Sequence, residues 1–442
     1  MLLPLNSTMI AVAIPDIARD FGGDAGSATW LVSGYLIAMA SLQPLAGKLG
    51  DRFGRRQLIL GGVASFAAAS LGAALAPSLA VLIAFRLLQA SAGALAFPNA
   101  LAVVREVLPE ARRGAGFGTL GSAIALGAAA GPPLGGALVA LGGWRAIFLV
   151  NLPWVALTLL LILRTVPAGL GGTGGGRFDY VGAGVLTGLL AGWAWLLNPG
   201  DVPGWVVPAG LAALALTLVV FLRYELAHAD PVLQPRLLRV KPFAAATAAM
   251  GLSNLALYGT LLAVPVLLSL RSGWSSAEIG MALAALSVPM VALSPVGGRM
   301  SDRIGRRATA TVGLVLVGGA MVPLAVAGQG VSVPLLIASL LCAGAGLGLS
   351  NPPIQTAGIE ALDPRDAGVA SGLFSTGRYL GGIAAASLVA ATVAGDGATD
   401  YGTLFALAAT AAWLSAVVAT ALPGRPRLVP ASVREAAQTP AS

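Results

Sequence analysis

Apolar runs of roughly 20 residues, the length that crosses a hydrocarbon core as a helix, follow one another along almost the whole chain. Short segments between them hold nearly all of the charge. Inside a bilayer a span must satisfy its backbone polar groups internally, so runs of this kind fold as helices. Of the 442 residues, 57% are hydrophobic and only 10% charged, and mean hydropathy is +0.86. A water-soluble domain carries about 25% charged residues. The chain is therefore read as an all-α, polytopic membrane protein embedded in a lipid bilayer.

Fourteen spans are expected, near residues 1–17, 28–46, 58–76, 79–103, 114–140, 144–163, 180–197, 204–222, 243–268, 277–297, 308–327, 332–354, 368–394 and 401–422. The net charge of +8 could suggest nucleic acid, but the arginines lie in short loops, which fits the positive-inside rule instead. Of the 26 Lys and Arg, three (Arg19, Arg145, Arg271) fall on one side and two (Arg86, Arg378) within spans. The others share a side with both termini, which are expected to be cytoplasmic. Arg in preference to Lys, with abundant Ala and Gly, suits a GC-rich bacterial genome and hence a bacterial cell membrane. One Cys (Cys342) and one His (His228) exclude a disulfide framework and a Cys/His metal site, so no metal is expected. No cleavable signal is visible, and the first span, which begins at Met1 and contains Pro4, is expected to lack a few residues.

The chain repeats itself. Gly47-Lys48-Leu49-Gly50-Asp51-Arg52-Phe53-Gly54-Arg55-Arg56 returns as Gly298-Arg299-Met300-Ser301-Asp302-Arg303-Ile304-Gly305-Arg306-Arg307, with six of ten positions identical. The pairs Pro98/Pro109 and Pro353/Pro364 repeat at a similar offset. Two six-span units are thus predicted, residues 1–164 and 242–424. A segment at 165–241, with two extra spans after the glycine-rich stretch Leu170–Gly176, separates them, and a tail follows at 425–442. Such duplication is characteristic of transporters with a site between the halves. In the turn, the glycines permit a tight reversal and the arginines suit a cytoplasmic surface. The aspartates need another partner, such as a helix N-terminus.

With these residues in view, the chain resembles the major facilitator superfamily, whose signature loop reads Gly-x-Leu-x-Asp-Arg-x-Gly-Arg-Arg/Lys. The resemblance implies a major facilitator fold of two six-helix bundles plus two inserted helices. It also makes Gly47, Asp51, Arg52 and Arg56, with Asp302 and Arg303 in the second half, a gating latch; Met300 departs from the usual Leu. Gly127, Gly131, Pro132, Gly135 and Gly136 resemble the antiporter motif of proton-coupled exporters, although small-residue packing alone would also favour them. Trp144-Arg145-x-x-Phe148-x-x-Asn151-x-Pro153 and Phe178-Asp179-Tyr180-x-Gly182 are similar to the fourteen-helix drug:proton antiporter family.

Span 1 departs from that family in one place: Asn6 stands where an acidic residue often stands. No Asp or Glu is expected deep in any span, so the usual proton carrier is missing. Arg86 and Arg378 are the buried charges instead. A charge at a helix centre costs about 2.5–3.5 kcal/mol on insertion scales, so such residues normally face a cavity and act. Arg86-Leu87-Leu88-Gln89 matches the family's span-4 arginine motif, associated by resemblance with proton transfer. Tyr35, Gln43, Gln89, Asn254, Tyr258, Asn351, Gln355 and Phe374 are candidates to line the cavity, with Asn6 and Gln89 expected to face water.

These features point to secondary-active export of small amphipathic compounds, driven by a proton gradient and without any other cofactor, by a protein expected to be a monomer. An alternative is a facilitator or exporter of a neutral or anionic metabolite without carboxylate-based coupling. No Gly-x-x-x-x-Gly-Lys-Ser/Thr loop is present to hold ATP. No span gathers the acid, base or metal groups of an enzyme.

Overall fold

The computed structural model describes residues 2–22, 25–107, 123, 126–127, 130–167, 169, 179–196, 203–228, 231–362, 367–393 and 401–424. Pro109, Pro364, Leu170–Gly176, Phe178, the tail at 425–442 and the side chain of Asp51 lie outside the described residues.

Among the described residues the apolar runs form fourteen main helices. In order they are α1 (Leu2–Asp20), α2 (Trp30–Phe53), α3 (Arg55–Ala74), α4 (Leu79–Val107), α5 (Ala130–Gly142), α6 (Ala146–Thr165) and α7 (Tyr180–Leu196). There follow α8 (Val206–Ala227), α9 (Lys241–Ser272), α10 (Ser276–Ile304), α11 (Arg306–Ala327), α12 (Val333–Glu360), α13 (Ala367–Val393) and α14 (Tyr401–Ala419). Nine are long and apolar enough to cross a membrane, and shorter apolar helices lie within α2, α5 and α7. Local signals set several boundaries. Gly273, at φ 62°, ends α9, and the next helix opens on a capping box between Ser275 and Glu278. In the repeated turn Gly54 and Gly305 take φ 91° and 100°, a backbone that favours glycine, so both copies reverse the chain in the same way.

The helices pack in two groups with matching neighbours. In the first, α4 lies against α2 and α3, and α3 against α6; in the second, α12 lies against α10 and α11, and α11 against α14. Likewise α5 packs on α1, and α13 on α9. Between the groups, α2 meets α13 and α5 meets α10. The inserted α7 leans on α2 and α13, on one side of this seam, while α8 touches α7 and leaves Leu216, Val219 and Val220 exposed on its outer face.

Phe178-Asp179-Tyr180-x-Gly182 now has a local explanation. Asp179 caps α7, its Oδ1 accepting from Gly182 N at 2.8 Å and from the Tyr224 hydroxyl at 2.9 Å. A Cβ on Gly182 would run into the carboxylates of Asp179 and Glu225.

At the end of the bundle away from the arginine-rich turns, Asp20 joins α1 to α6. Its Oδ2 accepts from Trp144 Nε1 at 3.0 Å and from Arg145 Nη1 at 2.8 Å, and Arg145 lies over the Trp144 ring. The Trp144 bond first, then the Arg145 bond, hold the Asp20 carboxyl below the usual carboxylate range. A lowered pKa stabilises above the unfolded value, about 3.9, and that contribution is lost as pH falls through the folded value. Asp20→Asn is therefore expected to lower thermal stability at pH 6 and to be indistinguishable from the parent in strong acid, measured by unfolding scans in detergent.

Glycine sets the helix spacing. A Cβ at Gly313 of α11 would stand 2.6 Å from Gly346 O of α12, whereas Gly319 on the same helix faces open space. Gly313→Ala should destabilise the protein by about 1–3 kcal/mol through overpacking. Gly319→Ala should be neutral or stabilising by up to about 1 kcal/mol. Equal melting temperatures for the two variants would contradict this account.

Candidate functional site at the seam between the halves

Arg86 on α4 is the largest fully buried side chain, at 1% exposure. Its Nη1 donates to Asn6 Oδ1 on α1 and, at 2.6 Å, to Gln89 Oε1 one turn along its own helix. Its Nε donates to Leu31 O at 3.4 Å, and the guanidinium lies 4.4 Å from the Tyr35 ring and 5.9 Å from that of Phe148. The network continues inward: Gln89 Nε2 donates to Ser70 Oγ at 2.7 Å, and Asn151 Nδ2 reaches the same hydroxyl at 3.4 Å. Residues of five helices, α1, α2, α3, α4 and α6, thus join one network, with α3 linked to the guanidinium through Gln89. No carboxylate pairs with it among the described residues, and Arg86 Nη2, Asn6 Nδ2 and the Tyr35 hydroxyl have no hydrogen-bond partner. Bonds to a charged group contribute about 1.5–3 kcal/mol each, which is how a cation is held there by neutral groups.

Asn6 and Gln89 do not face water, contrary to expectation; both are fully buried. A neutral amide between α1 and α4 is more useful as an acceptor for Arg86 than as a wall of an aqueous cavity.

Across the seam, Ser7 Oγ and the Tyr258 hydroxyl lie 3.1 Å apart, and Gln43 Nε2 donates to the Tyr379 hydroxyl at 3.1 Å. Ser7 lies on α1 and Tyr258 on α9, the first helix of each half. At the end away from the arginine-rich turns, Asp16 of α1 accepts from the Ser276 hydroxyl of α10.

The glycine motif of α5 has a counterpart in α13, its partner in the second half. Gly131-Pro132-Pro133-Leu134-Gly135-Gly136 recurs as Gly377-Arg378-Tyr379-Leu380-Gly381-Gly382. Gly131 and Gly135 admit Thr8 and Met9 of α1; Gly377 and Gly381 admit Thr247 and Gly251 of α9. The last glycine of each set reaches across the seam. Gly136 meets Ser276 and Gly280 of α10, and Gly382 meets Leu36 of α2 and Tyr258. Arg378 and Tyr379 therefore take the places of Pro132 and Pro133, so one helix carries charge where its counterpart carries two prolines. The recurring Gly-x-x-Leu-Gly-Gly was the signal that would have found Tyr379.

Other candidates lie apart from this centre. Asn254 donates to Met250 O of its own helix at 3.0 Å, and Asn351 accepts from Ser253 at 3.4 Å, both within the second half. Phe374 is buried beside Gly358, Gln355 is exposed, and Gly127 is buried in the first half. At the turns, Arg52, Asp302 and Arg303 are exposed, and Arg56 Nη2 donates to Leu163 O at 3.1 Å, tying α3 to α6. The ion pair seen there joins Arg306 of α11 to Glu360 of α12, with Nη2 to Oε1 at 2.6 Å. Gly50, backed by Asn99, lets α4 approach α2 beside the turn.

Two related six-helix bundles meeting at a buried polar centre define a membrane transporter rather than an enzyme. The family profile described as Major Facilitator Superfamily matches residues 1–386, and the chain belongs to that superfamily. It is 35% identical to the MFS-type transporter YvkA of Bacillus subtilis, over 88% of this chain and 87% of that one. It is 32% identical to the tetracenomycin C resistance and export protein of Streptomyces glaucescens (86% and 72% covered). The multidrug resistance protein B homolog of Mycobacterium tuberculosis is 30% identical (86% and 71%). The xylose transporter XylE of E. coli shares the fold, with TM-score 0.65 and 16% identity over 94% of this chain and 93% of that one.

Removing one acceptor from a buried guanidinium should be expensive. Asn6→Ala is expected to cost about 1–3 kcal/mol, while Asn254→Ala, which frees only an intrahelical bond, should cost less. Thermal unfolding of the purified variants compares them.

Proposed function

We propose that this protein is a secondary-active exporter of small amphipathic compounds that works by alternating access as a monomer in a bacterial plasma membrane. Its termini face the cytoplasm, and proton influx supplies the energy. The observation that carries this reading is the character of the seam. Among the described residues the halves meet at closely packed glycines, apolar side chains such as Leu36, and single hydrogen bonds, Ser7–Tyr258, Gln43–Tyr379 and Asp16–Ser276, each of which can exchange on its own. Bundles joined in this way can rock about a central site. The tetracenomycin exporter and the multidrug resistance homolog support export of amphipathic compounds. In this scheme Arg86, Asn6 and Arg378 serve transport, and the turns at Asp51–Arg52 and Asp302–Arg303 latch one end-state.

A second reading is favoured by the neutral surroundings of Arg86: export of a neutral or anionic compound without carboxylate-based proton coupling. Inside-out vesicles with an acid interior and a pH-sensitive dye separate the two. Proton release on adding a cationic amphiphile is the result expected for antiport. Movement of a labelled amphiphile without proton release supports the second reading. If no amphiphile moves, the exporter assignment itself is wrong. In the same assay Asp51→Asn should slow transport several-fold at normal abundance; unchanged turnover removes Asp51 from the latch.

A further inference from the structure

We propose that the site between the halves takes an amphipathic aromatic anion, with Arg86 and Arg378 as its charge partners. This deepens the second reading above and rests on it.

The charge balance of the seam is the first observation. Arg86 is buried, makes no ion pair among the described residues, and keeps Nη2 without a partner. Arg378 is half-buried on α13, and its Nε is likewise unpartnered. The described carboxylates with assigned partners are elsewhere. Asp16 and Asp20 sit at the end away from the arginine-rich turns, and Glu360 pairs with Arg306 at the other end. Asp179 and Glu225 belong to the inserted pair. A cationic ligand between Arg86 and Arg378 would therefore meet two like charges, while the carboxylate described at the seam, Asp16, stands at its end away from the arginine-rich turns. An anion would meet two donors already stripped of water, where Coulomb attraction is strongest and an unpaired ion is most in need of a partner.

The second observation is what surrounds those charges. The Tyr35 ring lies against the Arg86 guanidinium, and Tyr258 packs on Gly382 of the helix that carries Arg378. Tyr379 follows Arg378 directly. Three phenols offer hydroxyl donors to an anionic oxygen and flat faces to an aromatic body, the combination that suits a ring bearing an acidic group. Two of these hydroxyls are engaged in the cross-seam bonds to Ser7 and Gln43. Tyr379 accepts from Gln43 and so keeps its own hydrogen for an anion, whereas an anion accepting from Tyr258 would compete with Ser7 for that hydroxyl, which ties occupancy to rocking.

The third is asymmetry. Arg378-Tyr379 replaces Pro132-Pro133 within the shared glycine frame, so the positive wall is a property of this seam and not of the repeat. An anion leaving the cytoplasm also moves with the inside-negative membrane potential, so no proton-carrying carboxylate is needed in the site.

The test titrates the purified protein in nanodiscs with radiolabelled 2-naphthalenesulfonate, 2-naphthalenesulfonamide and (2-naphthyl)trimethylammonium, which share a ring and differ in charge. The sulfonate should bind about tenfold or more tightly than the cation, and equally at pH 6 and pH 8 because it does not titrate. Arg86→Gln and Arg378→Gln should each weaken it about tenfold, and Arg86→Lys less. Size-exclusion profiles check folding, and the half-buried Arg378 position keeps the test decisive should Arg86→Gln misfold. Three outcomes overturn the proposal: cation binding as tight as sulfonate binding, sulfonate binding undiminished in Arg378→Gln, or no binding of any probe. None of them touches the alternating-access reading, which fails instead if no labelled amphiphile moves in the vesicle assay.

Discussion

The two halves of this protein meet most closely at glycines. A Cβ on Gly136 or Gly280 would collide with the backbone of the opposite helix, and Gly382 makes room for the Leu36 side chain. Between apolar helices in a bilayer there is little hydrophobic gain from association, so close packing and a few polar contacts must hold the seam. Where Gly136 meets Gly280, glycine supplies the first without side-chain interlocking, which lets the seam be close there and still separable. The matching neighbours of α1–α6 and α9–α14 follow from the same spacing. A duplicated glycine frame builds the same bundle twice.

Within this frame the polar residues divide by role. Asn6, Gln89, Ser70 and Asn151 all serve one guanidinium, and they hold the first bundle together around it. Burying a charge is tolerable when neutral acceptors converge on it, but an unpartnered donor remains. Ser7, Gln43, Tyr258 and Tyr379 act across the seam instead. Their single bonds are weak enough to exchange, and they lie beside Arg378. Structure-holding and exchangeable polar groups thus sit within a few side chains of one another, which places any ligand next to the contacts that set the conformation.

The chain's own order made much of the architecture legible. Span length, sparse charge and the 251-residue repeat of the turn imply helices in two related sets, because hydrocarbon admits few other backbones. Asn6 in place of an acid and Arg86 in a span were likewise visible as letters that do not suit lipid. Their surroundings were not: a lone amide reads equally as a cavity wall or as an acceptor for a buried cation. Tyr379 sits in a recurring Gly-x-x-Leu-Gly-Gly whose offset differs from that of the turn, and its bond to Gln43 across the seam depends on a helix far away in the chain.

By itself the sequence determined that this protein lives in a membrane, is helical and duplicated, and carries uncompensated arginine within its spans. These properties are local or periodic, set by the solvent each segment must face. Only the tertiary structure decided that Asn6 and Gln89 serve Arg86 and that Ser7 meets Tyr258. Those partnerships depend on which helix faces lie opposite one another. That is settled by glycine contacts summed over the whole bundle, and no short stretch of chain encodes it.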